Sequence, residues 1–149
     1  MLPFFAPAIK VDFFITSDCP ICRRYSPEMN RIVREFPKAK FRMVYSQPGI
    51  TANVAKQHQK EFNILAPFLL DPKGVEASRA GAKVVPTAVV YVGSKLVYRG
   101  RIDDAYGSDF KWRKPKSPDL RNAIKAALSG QAPKVKETTP IGCTLSFSL

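Results

Sequence analysis

The sequence predicts a single α/β domain built on a mixed β-sheet. Strand-like and helix-like segments follow one another in the order strand, helix, strand, helix, strand, helix, hairpin, helix, which is typical of α/β domains. The 149 residues, 45% of them hydrophobic, suffice for one core and are too few to expect two. The pair Gly93-Ser94 lies between two apolar runs and predicts an antiparallel hairpin, so the sheet is expected to be mixed.

The first strand and the first helix frame a pair of cysteines. The apolar run over residues 10–16 predicts a central strand, and residues 20–36 carry apolar side chains at helical spacing. Pro20 suits the first helical position, because its missing N–H needs no partner there, and Pro27 should kink the helix. Cys19 is therefore predicted to be the N-cap. There, unpaired backbone N–H groups and the helix dipole favour a thiolate over a thiol.

The later elements are predicted from turns, caps and apolar spacing. They are a strand over Phe41–Ser46, a helix capped by Thr51 with Val54, Ala55, His58 and Phe62 inward, a strand over Phe68–Leu70, a helix over Val75–Ala80 ending at Gly81, a strand from Val84 through Val92, its partner Lys95–Arg99, a loop over 101–116 and a helix after Ser117-Pro118-Asp119 with Leu120, Ala123, Ile124, Ala127 and Leu128 inward. We divide the chain into a domain of residues 1–130 and an extended tail of residues 131–149, which could lead toward a further domain. The apolar opening is short and lacks a basic leader, so it is not predicted to be an intact signal peptide.

The spacing of Cys19 and Cys22 predicts a dithiol that exchanges disulfides. One helical turn separates them, so Cys19 can attack as a thiolate and Cys22 can resolve the mixed disulfide. A zinc site would need two more ligands, and only His58 and Cys143 are on offer, at no recognisable spacing. A purely structural disulfide across so short a loop would stabilise the fold weakly.

The net charge of +12 raises the question of a nucleic-acid or membrane partner. The cations are spread along the chain, with one dense cluster over residues 110–116, where Phe110 and Trp112 interleave with basic side chains. This pattern resembles a single-strand stacking platform only faintly. Because no nucleic-acid fold signature accompanies it, we predict a solvated loop and no nucleic-acid partner. No apolar run reaches the length of a membrane span.

Three features together resemble the thioredoxin-like superfamily over most of residues 10–130. They are the Cys-x-x-Cys at the start of the first core helix, Pro27 eight residues after Cys19, and Val85-Pro86-Thr87 before the hairpin. The resemblance implies a thioredoxin fold in which Pro86 follows a cis peptide bond and faces the dithiol. It also implies an unpaired edge beside Cys19, on which an extended substrate could form backbone hydrogen bonds. Val85 and Thr87, with Pro20 and Thr16, are the predicted substrate-contacting residues.

The helix and strand between Ser46 and Val84 exceed what a minimal thioredoxin needs. With Phe-Leu-Leu-Asp-Pro, Tyr-Arg-Gly-Arg-Ile-Asp-Asp and the late Gly-Cys, the chain is similar to bacterial redoxin-domain proteins of the alkyl hydroperoxide reductase/thiol-specific antioxidant branch. The resemblance implies a helix-plus-strand insert before the cis-proline hairpin and an extracytoplasmic location.

Two departures from thioredoxin carry predictions of their own. Asp12 resembles the buried strand aspartate that acts as a proton relay, but its gap to Cys19 is one residue longer, which turns the side chain to the other face of the strand. Asp12 is therefore not predicted to be a relay. The Pro-Ile dipeptide between the cysteines resembles more oxidising members of the superfamily, so we expect a potential above thioredoxin's, which is about −270 mV.

Several alternatives remain open from the sequence. Thr16, three residues before Cys19, matches the Thr-x-x-Cys of peroxiredoxins, where a distant arginine, here Arg99 or Arg101, would help to orient the peroxide. A Cu(I)-handling protein would use Cys143 as a third soft ligand.

Cys143 could equally be a second resolving thiol or a free residue. It shares parity with Leu145, Phe147 and Leu149, which predicts a strand with Cys143 facing inward or toward a partner. His58 is expected to be a partly buried helix residue. Asp103 and Asp104 could pair on a metal, although a turn rich in carboxylates fits them better.

The sequence thus predicts a thiol–disulfide oxidoreductase with Cys19 as nucleophile, Cys22 as resolving thiol and Pro86 beside them. Its expected partners are protein or peptide thiols and disulfides. No organic cofactor and no bound metal are predicted.

Overall fold

The structure, a computed structural model, describes residues 7–147. Its elements in chain order are β1 (Ile9–Ile15), α1 (Pro20–Glu35), β2 (Lys40–Tyr45), α2 (Ala52–Glu61), β3 (Phe68–Leu70), α3 (Val75–Ala80), β4 (Val84–Val85), β5 (Thr87–Val92), β6 (Lys95–Gly100), α4 (Asp119–Leu128) and β7 (Cys143–Thr144). The predictions that concern residues 1–6 and Leu149 lie outside the described residues.

The main sheet has five strands in the order β3-β2-β1-β5-β6. β1 lies at its centre, parallel to β2 and antiparallel to β5, and β5 and β6 form the predicted antiparallel hairpin. The side chains of β1 are buried on both faces from Val11 to Ile15, as its apolar run requires. The α/β fold with a mixed sheet is therefore confirmed, and a helix and a strand, α2 and β3, lie between β2 and the hairpin at the place of the predicted helix-plus-strand insert.

Helices α1 and α4 are joined by ion pairs. Arg121 on α4 binds Glu28 and Glu35 on α1. The inner face of α1 includes Met29 and Ile32, both nearly inaccessible to solvent. This packing holds α1, and with it the cysteine pair at its first turn, in a fixed position against the sheet.

Two predicted inward residues, Val54 and Leu128, are exposed instead. Val54 is 42% exposed and Leu128 is 37% exposed. Val54 lies in the first turn of α2, one position away from the face that buries Ala55 and His58, and Leu128 is the last residue of α4. Helical spacing predicts the buried face but not how far the neighbouring structure extends over the helix ends.

The strand predicted from Val84 through Val92 is interrupted at Pro86. The Val85–Pro86 peptide bond is cis, as predicted, and the chain leaves the main sheet on its N-terminal side. β4 therefore belongs to a separate two-stranded sheet, in which its partner is β7 near the C-terminus.

The tail lies along the domain from Lys136 onward. The backbone of Arg99 exchanges hydrogen bonds with Lys136 and Thr138, each 3.1 Å long. The Thr138 hydroxyl also meets the buried Tyr98 hydroxyl at 2.7 Å. Beyond Thr138 the chain crosses to the dithiol, where β7 forms. Among the described residues, no helix is both long and apolar enough to cross a membrane.

Candidate active site

Cys19 is the N-cap of α1 and Pro20 is its first residue, as predicted. The Cys19 sulfur accepts a hydrogen bond from the backbone N–H of Cys22 at 3.2 Å. A sulfur in this position faces the positive end of the helix dipole and one of the unpaired N–H groups of the first turn. The local sequence thus places the Cys19 sulfur at the start of the helix, where backbone N–H groups stabilise its thiolate form.

The two thiols of the Cys-x-x-Cys differ strongly in proton affinity. Hydrogen bonds from the Cys22 thiol, the Cys143 thiol and nearby backbone groups outweigh burial and lower the pKa of Cys19 from 9.0 to about 6. Burial raises the pKa of Cys22 well above 9.0, and the neighbouring Cys19 adds to the effect. At neutral pH Cys19 is therefore the thiolate and Cys22 the thiol, which is the division of roles between a nucleophile and a resolving group.

Cys143, the first residue of β7, lies beside Cys19. The two sulfur atoms are 2.9 Å apart. Burial and the neighbouring Cys19 raise the pKa of Cys143 to about 11, so Cys143 stays protonated. Its S–H group is the hydrogen-bond donor to the Cys19 thiolate. The parity predicted for this segment is present, since Cys143, Leu145 and Phe147 are partly buried while Thr144 and Ser146 are exposed.

The cis-proline edge lies against the dithiol but is not unpaired, so that sequence expectation is wrong. The Val85 carbonyl oxygen is 3.6 Å from the Cys19 sulfur. Val85 and Val84 pair antiparallel with Cys143 and Thr144, and the Leu145 N–H donates to the Lys83 carbonyl at 2.9 Å. The chain's own tail therefore forms the backbone pairing that was expected from a substrate.

Gly142 makes this pairing sterically feasible. A Cβ atom at position 142 would overlap the Val85 carbonyl and approach the Pro86 nitrogen at 3.2 Å. The missing side chain lets the tail cross directly over the cis peptide. Thr87, by contrast, turns inward and donates its hydroxyl to the Val84 carbonyl at 2.6 Å, which leaves it a supporting position behind the edge.

Thr16 lies at the end of β1 and lines a shallow cleft with Cys19, between Pro48 and the tail. The two arginines named for a peroxidase site are engaged elsewhere. Arg99 binds Glu137 and the Ala80 carbonyl, and Arg101 binds Asp119, which is buried. No contact of either guanidinium with Cys19 occurs among residues 7–147, so the geometry does not favour the peroxidase alternative.

Asp12 faces away from the dithiol, as its spacing predicts. Its carboxylate is buried and accepts two hydrogen bonds from Arg42, at 2.9 and 2.8 Å. A two-point hydrogen bond between a guanidinium and a carboxylate fixes the orientation of both side chains. Asp12 is thus a structural ion-pair partner in β1.

Asp103 and Asp104 do not form a pair. Tyr25 on α1 donates its hydroxyl to Asp103 at 2.5 Å, and the Ala105 N–H donates to the same oxygen at 2.9 Å. Burial raises the pKa of Asp103, and burial together with Asp103 raises the pKa of Tyr25. Asp104 instead accepts backbone hydrogen bonds from residues 116 and 117.

His58 is a buried helix residue, as predicted. Its Nδ1 lies 2.8 Å from the Tyr45 hydroxyl, and its ring packs on Phe62 at 4.9 Å between centroids. Burial, with Arg23 nearby, lowers the pKa of His58. The ring is therefore neutral at physiological pH and belongs to the packing of α2.

Trp112 in the basic loop is already covered by a cation of this chain. The Arg24 guanidinium lies 4.6 Å from the centroid of its ring, and Arg113 in the same loop is paired with Asp109. One face of the Trp112 ring is thus covered by Arg24, while the residue as a whole remains 47% exposed. Across the described range no cluster of three or more His, Cys, Asp or Glu side chains is arranged to hold a metal ion, so neither the zinc nor the Cu(I) alternative gains support.

The sequence left the position of Cys143 open and missed the role of Gly142. The period-two pattern from Cys143 to Phe147 predicts a strand but does not name its partner, because pairing between distant segments leaves no local signal. The Gly-Cys order was the available clue, since a glycine before a cysteine permits close backbone approach.

Comparison with solved structures confirms the thioredoxin-like fold. The chain superposes on an uncharacterized conserved protein from Geobacillus kaustophilus with a TM-score of 0.84 and 24% identity, covering 96% of this chain and 79% of that one. A hypothetical protein from Sinorhizobium meliloti gives 0.83 and 21%, covering 96% and 81%.

A secreted disulfide oxidoreductase of Mycobacterium tuberculosis, described as homologous to E. coli DsbE, gives a TM-score of 0.52 and 20% identity, covering 60% and 66%. No protein-family model and no curated protein matches the sequence. The likeness therefore establishes the fold.

Proposed function

We propose that this chain is a thiol–disulfide oxidoreductase acting on protein or peptide partners. The observation that carries the proposal is the Cys19 sulfur, whose pKa is lowered to about 6, placed between Cys22 and the cis-proline edge. A thiolate at neutral pH is the nucleophile that disulfide exchange requires. The solved thioredoxin-like neighbours described as disulfide oxidoreductases support the same class.

The exchange proceeds in two displacements. The Cys19 thiolate attacks one sulfur of a partner disulfide, forms a mixed disulfide and releases the first partner thiolate. Cys22 then attacks the Cys19 sulfur, which closes the Cys19–Cys22 disulfide and releases the second partner thiolate. The partner is reduced by two electrons and the dithiol is oxidised by two, so the reaction balances and is reversible. Cys22 must lose its proton before this second step, because the thiolate is the attacking form. Its raised pKa makes that deprotonation unfavourable at neutral pH.

An active-site cysteine pair can be tested by trapping. A peptide disulfide carrying a fluorophore on one half is mixed with the reduced protein, with the double variant Cys22→Ser/Cys143→Ser and with Cys19→Ser. The double variant should accumulate a labelled mixed disulfide, because neither thiol beside Cys19 is left to resolve it, and wild type should turn it over. Cys19→Ser should do neither. Equal labelling of both variants, or no consumption by wild type, contradicts the proposal.

The same preparation tests the peroxidase alternative. Stopped-flow mixing of the reduced protein with hydrogen peroxide should show slow oxidation of Cys19, because no arginine is placed to orient the peroxide among the described residues. Rapid peroxide consumption by wild type, lost in Cys19→Ser, would transfer the assignment to a peroxidase.

The proposal includes an extracytoplasmic location, where disulfide exchange enzymes meet oxidised partners. The Mycobacterium tuberculosis neighbour is described as secreted. Fractionation of the cells that naturally express this protein tests this part, and a purely cytosolic distribution would contradict it.

A further inference from the structure

Cys19 has two thiol neighbours in the structure. The Cys22 thiol lies one helical turn away and hydrogen-bonds to it, and the Cys143 thiol lies 2.9 Å away across the gap between α1 and β7. A disulfide bond measures about 2.05 Å, so a sulfur displacement of less than about 1 Å would join Cys19 to Cys143. Either neighbour can therefore bond to the same sulfur.

The segment that carries Cys143 occupies the place of a substrate. It runs antiparallel to Val84–Val85 with Cys143 opposite Val85, and backbone hydrogen bonding continues to Leu145. Addition of an extended peptide to a free strand edge is a common mode of peptide recognition. Here the added strand belongs to the chain itself, and its cysteine is in register with the residue next to Pro86.

Steric evidence shows that the fit is specific. The Val85 carbonyl occupies the space that a Cβ atom of residue 142 would take. The ring of Phe147 lies over Gly74, where an added Cβ would be 2.7 Å from the nearest ring atoms. Further back, the Thr138 hydroxyl is hydrogen-bonded to Tyr98 of β6 and to the backbone N–H of Arg101, just beyond that strand. The strand is held on both sides of Cys143, so the thiol is delivered to one position.

We propose that Cys143 is a third redox-active cysteine, which forms an internal disulfide with Cys19 and closes β7 over the dithiol. The proposal rests on the proposed oxidoreductase function, which supplies the oxidised Cys19–Cys22 pair. Deprotonated Cys143 attacks the Cys19 sulfur, the Cys19–Cys143 bond forms, and the Cys19–Cys22 bond breaks. Cys22 leaves as a thiolate and takes up the proton that Cys143 gave up. No electrons enter or leave, and the step is an isomerisation of one disulfide.

The consequence is that an external partner and the tail compete for one sulfur and one edge. Cys19 is only 2% exposed while β7 is in place, so a partner has to displace residues 142–144 before it reaches the thiolate. The Cys19–Cys143 bond would make that displacement impossible until a thiol reopens it. The tail therefore acts as a tethered competitor with a covalent and a non-covalent form.

Peptide mapping of the oxidised protein tests the proposal. The full chain is equilibrated in a glutathione redox buffer, free thiols are alkylated at low pH, and tryptic peptides are analysed by mass spectrometry without reduction. Trypsin leaves Cys19 and Cys22 together in Val11–Arg23 and Cys143 in Glu137–Leu149. A Cys143 disulfide therefore joins two peptides, whereas the Cys19–Cys22 disulfide stays within one. The joined pair should be found in monomeric wild type and should become the main oxidised species in Cys22→Ser.

The matched variant is Cys19→Ser, which keeps Cys22 and Cys143 and should give no joined pair. If Cys22→Ser carries glutathione on Cys19 and leaves Cys143 alkylated, the proposal is wrong while the oxidoreductase function stands. If Cys19 takes up no glutathione in folded Cys22→Ser and wild type forms no Cys19–Cys22 disulfide, the proposed function fails as well. Folding of each variant is checked by circular dichroism.

Discussion

At the scale of single residues, three thiols of the same intrinsic acidity are placed in three environments. Cys19 receives hydrogen bonds at a helix start, Cys22 is buried behind it, and Cys143 faces it from the tail. Donors directed at one sulfur stabilise its anion, and burial without donors stabilises the neutral thiol. The proton that Cys143 retains is therefore part of what keeps Cys19 ionised.

This coupling predicts a shift in the pKa of Cys19 when Cys143 is removed. The rate of Cys19 alkylation in wild type should rise through a midpoint near pH 6 and level off above it. In Cys143→Ala the midpoint should move to higher pH, because one hydrogen bond to the thiolate is lost. Thiolate absorbance against pH checks the value independently. Ser146→Ala, an exposed change in the same tail, serves as control and should keep the wild-type midpoint. An unchanged midpoint in Cys143→Ala would contradict the coupling.

The buried pair of Tyr25 and Asp103 predicts a pH-dependent loss of stability. Tyr25→Phe removes the hydroxyl that donates to Asp103 at 2.5 Å. Asp103 then keeps only the Ala105 N–H on that oxygen, and the loss of one of two hydrogen bonds to a buried carboxyl oxygen costs about 1–3 kcal/mol. That hydrogen bond lowers the pKa of Asp103 against the effect of burial, so its removal raises the pKa further. A raised carboxyl pKa adds stability at low pH and loses it as pH rises through the folded-state value. Urea unfolding should therefore show a larger loss at pH 7 than at pH 4.

The control for this change is Tyr106→Phe. The Tyr106 ring packs on Tyr25 at 5.8 Å between centroids, and its hydroxyl makes no hydrogen bond within the described part of the chain. This variant should unfold within about 0.5 kcal/mol of wild type, as changes away from such features usually do. Equal losses in the two variants, or a loss from Tyr25→Phe that does not depend on pH, would show that the hydrogen bond is not the cause.

At the scale of elements, β7 exists because its neighbours hold it, since two residues form no stable strand alone. The bonds from Leu145 to Lys83 and from Thr138 to β6 fix its two sides. Gly142 fixes its closest approach. Substrate access to Cys19 is thus governed by the opening of one short segment, and segments with few backbone bonds open most readily.

Gly142→Ala should uncouple β7 from the dithiol. The new Cβ would overlap the Val85 carbonyl, which is backbone and cannot move aside cheaply. We expect Cys19 alkylation by a neutral reagent to become at least several-fold faster at pH 8, where Cys19 is ionised in both proteins. Thr139→Ala, an exposed change in the same tail, is the matched control and should react at the wild-type rate. Equal rates for Gly142→Ala and wild type would mean that β7 does not limit access.

At the scale of the whole molecule, the sequence predicts the order of elements well and the tertiary partners of the tail poorly. Strand and helix periods, the N-cap at Cys19 and the turn at Gly93 are local signals, and the structure follows them. The break at Pro86 and the pairing of Val85 with Cys143 depend on segments about sixty residues apart. The edge of Val84–Val85 was predicted to bind an external substrate, because no local signal in the sequence shows that β7 pairs with it. The core of the site was predictable, and its internal occupant was not.

The acidity of Cys19 also links the redox state to the stability of the whole fold. Its pKa is about 6 in the folded reduced protein and 9.0 as a model thiol, so ionisation adds stability that is fully present above 9 and is lost as pH falls toward 6. The slope is about 1.4 kcal/mol per pH unit between these values. Cys22 and Cys143 stay largely protonated from pH 6 to 8 in the unfolded chain, where the thiol pKa is 9.0, and in the folded protein, where their pKa values are higher still. They therefore add almost nothing to the pH dependence of stability in this range. The oxidised protein has no Cys19 thiolate. Urea unfolding should therefore show the reduced form gaining stability over the oxidised form as pH rises from 6 to 8.

The same thiolate predicts the redox potential. Because ionisation of Cys19 stabilises only the reduced protein, the disulfide should be more oxidising than that of thioredoxin, whose potential is about −270 mV, when the potential is measured against glutathione. Cys143→Ala, with a less acidic Cys19, should show a smaller gain and a lower potential. A stability difference that stays flat across this pH range would separate the redox couple from the thiolate and remove the basis of the prediction.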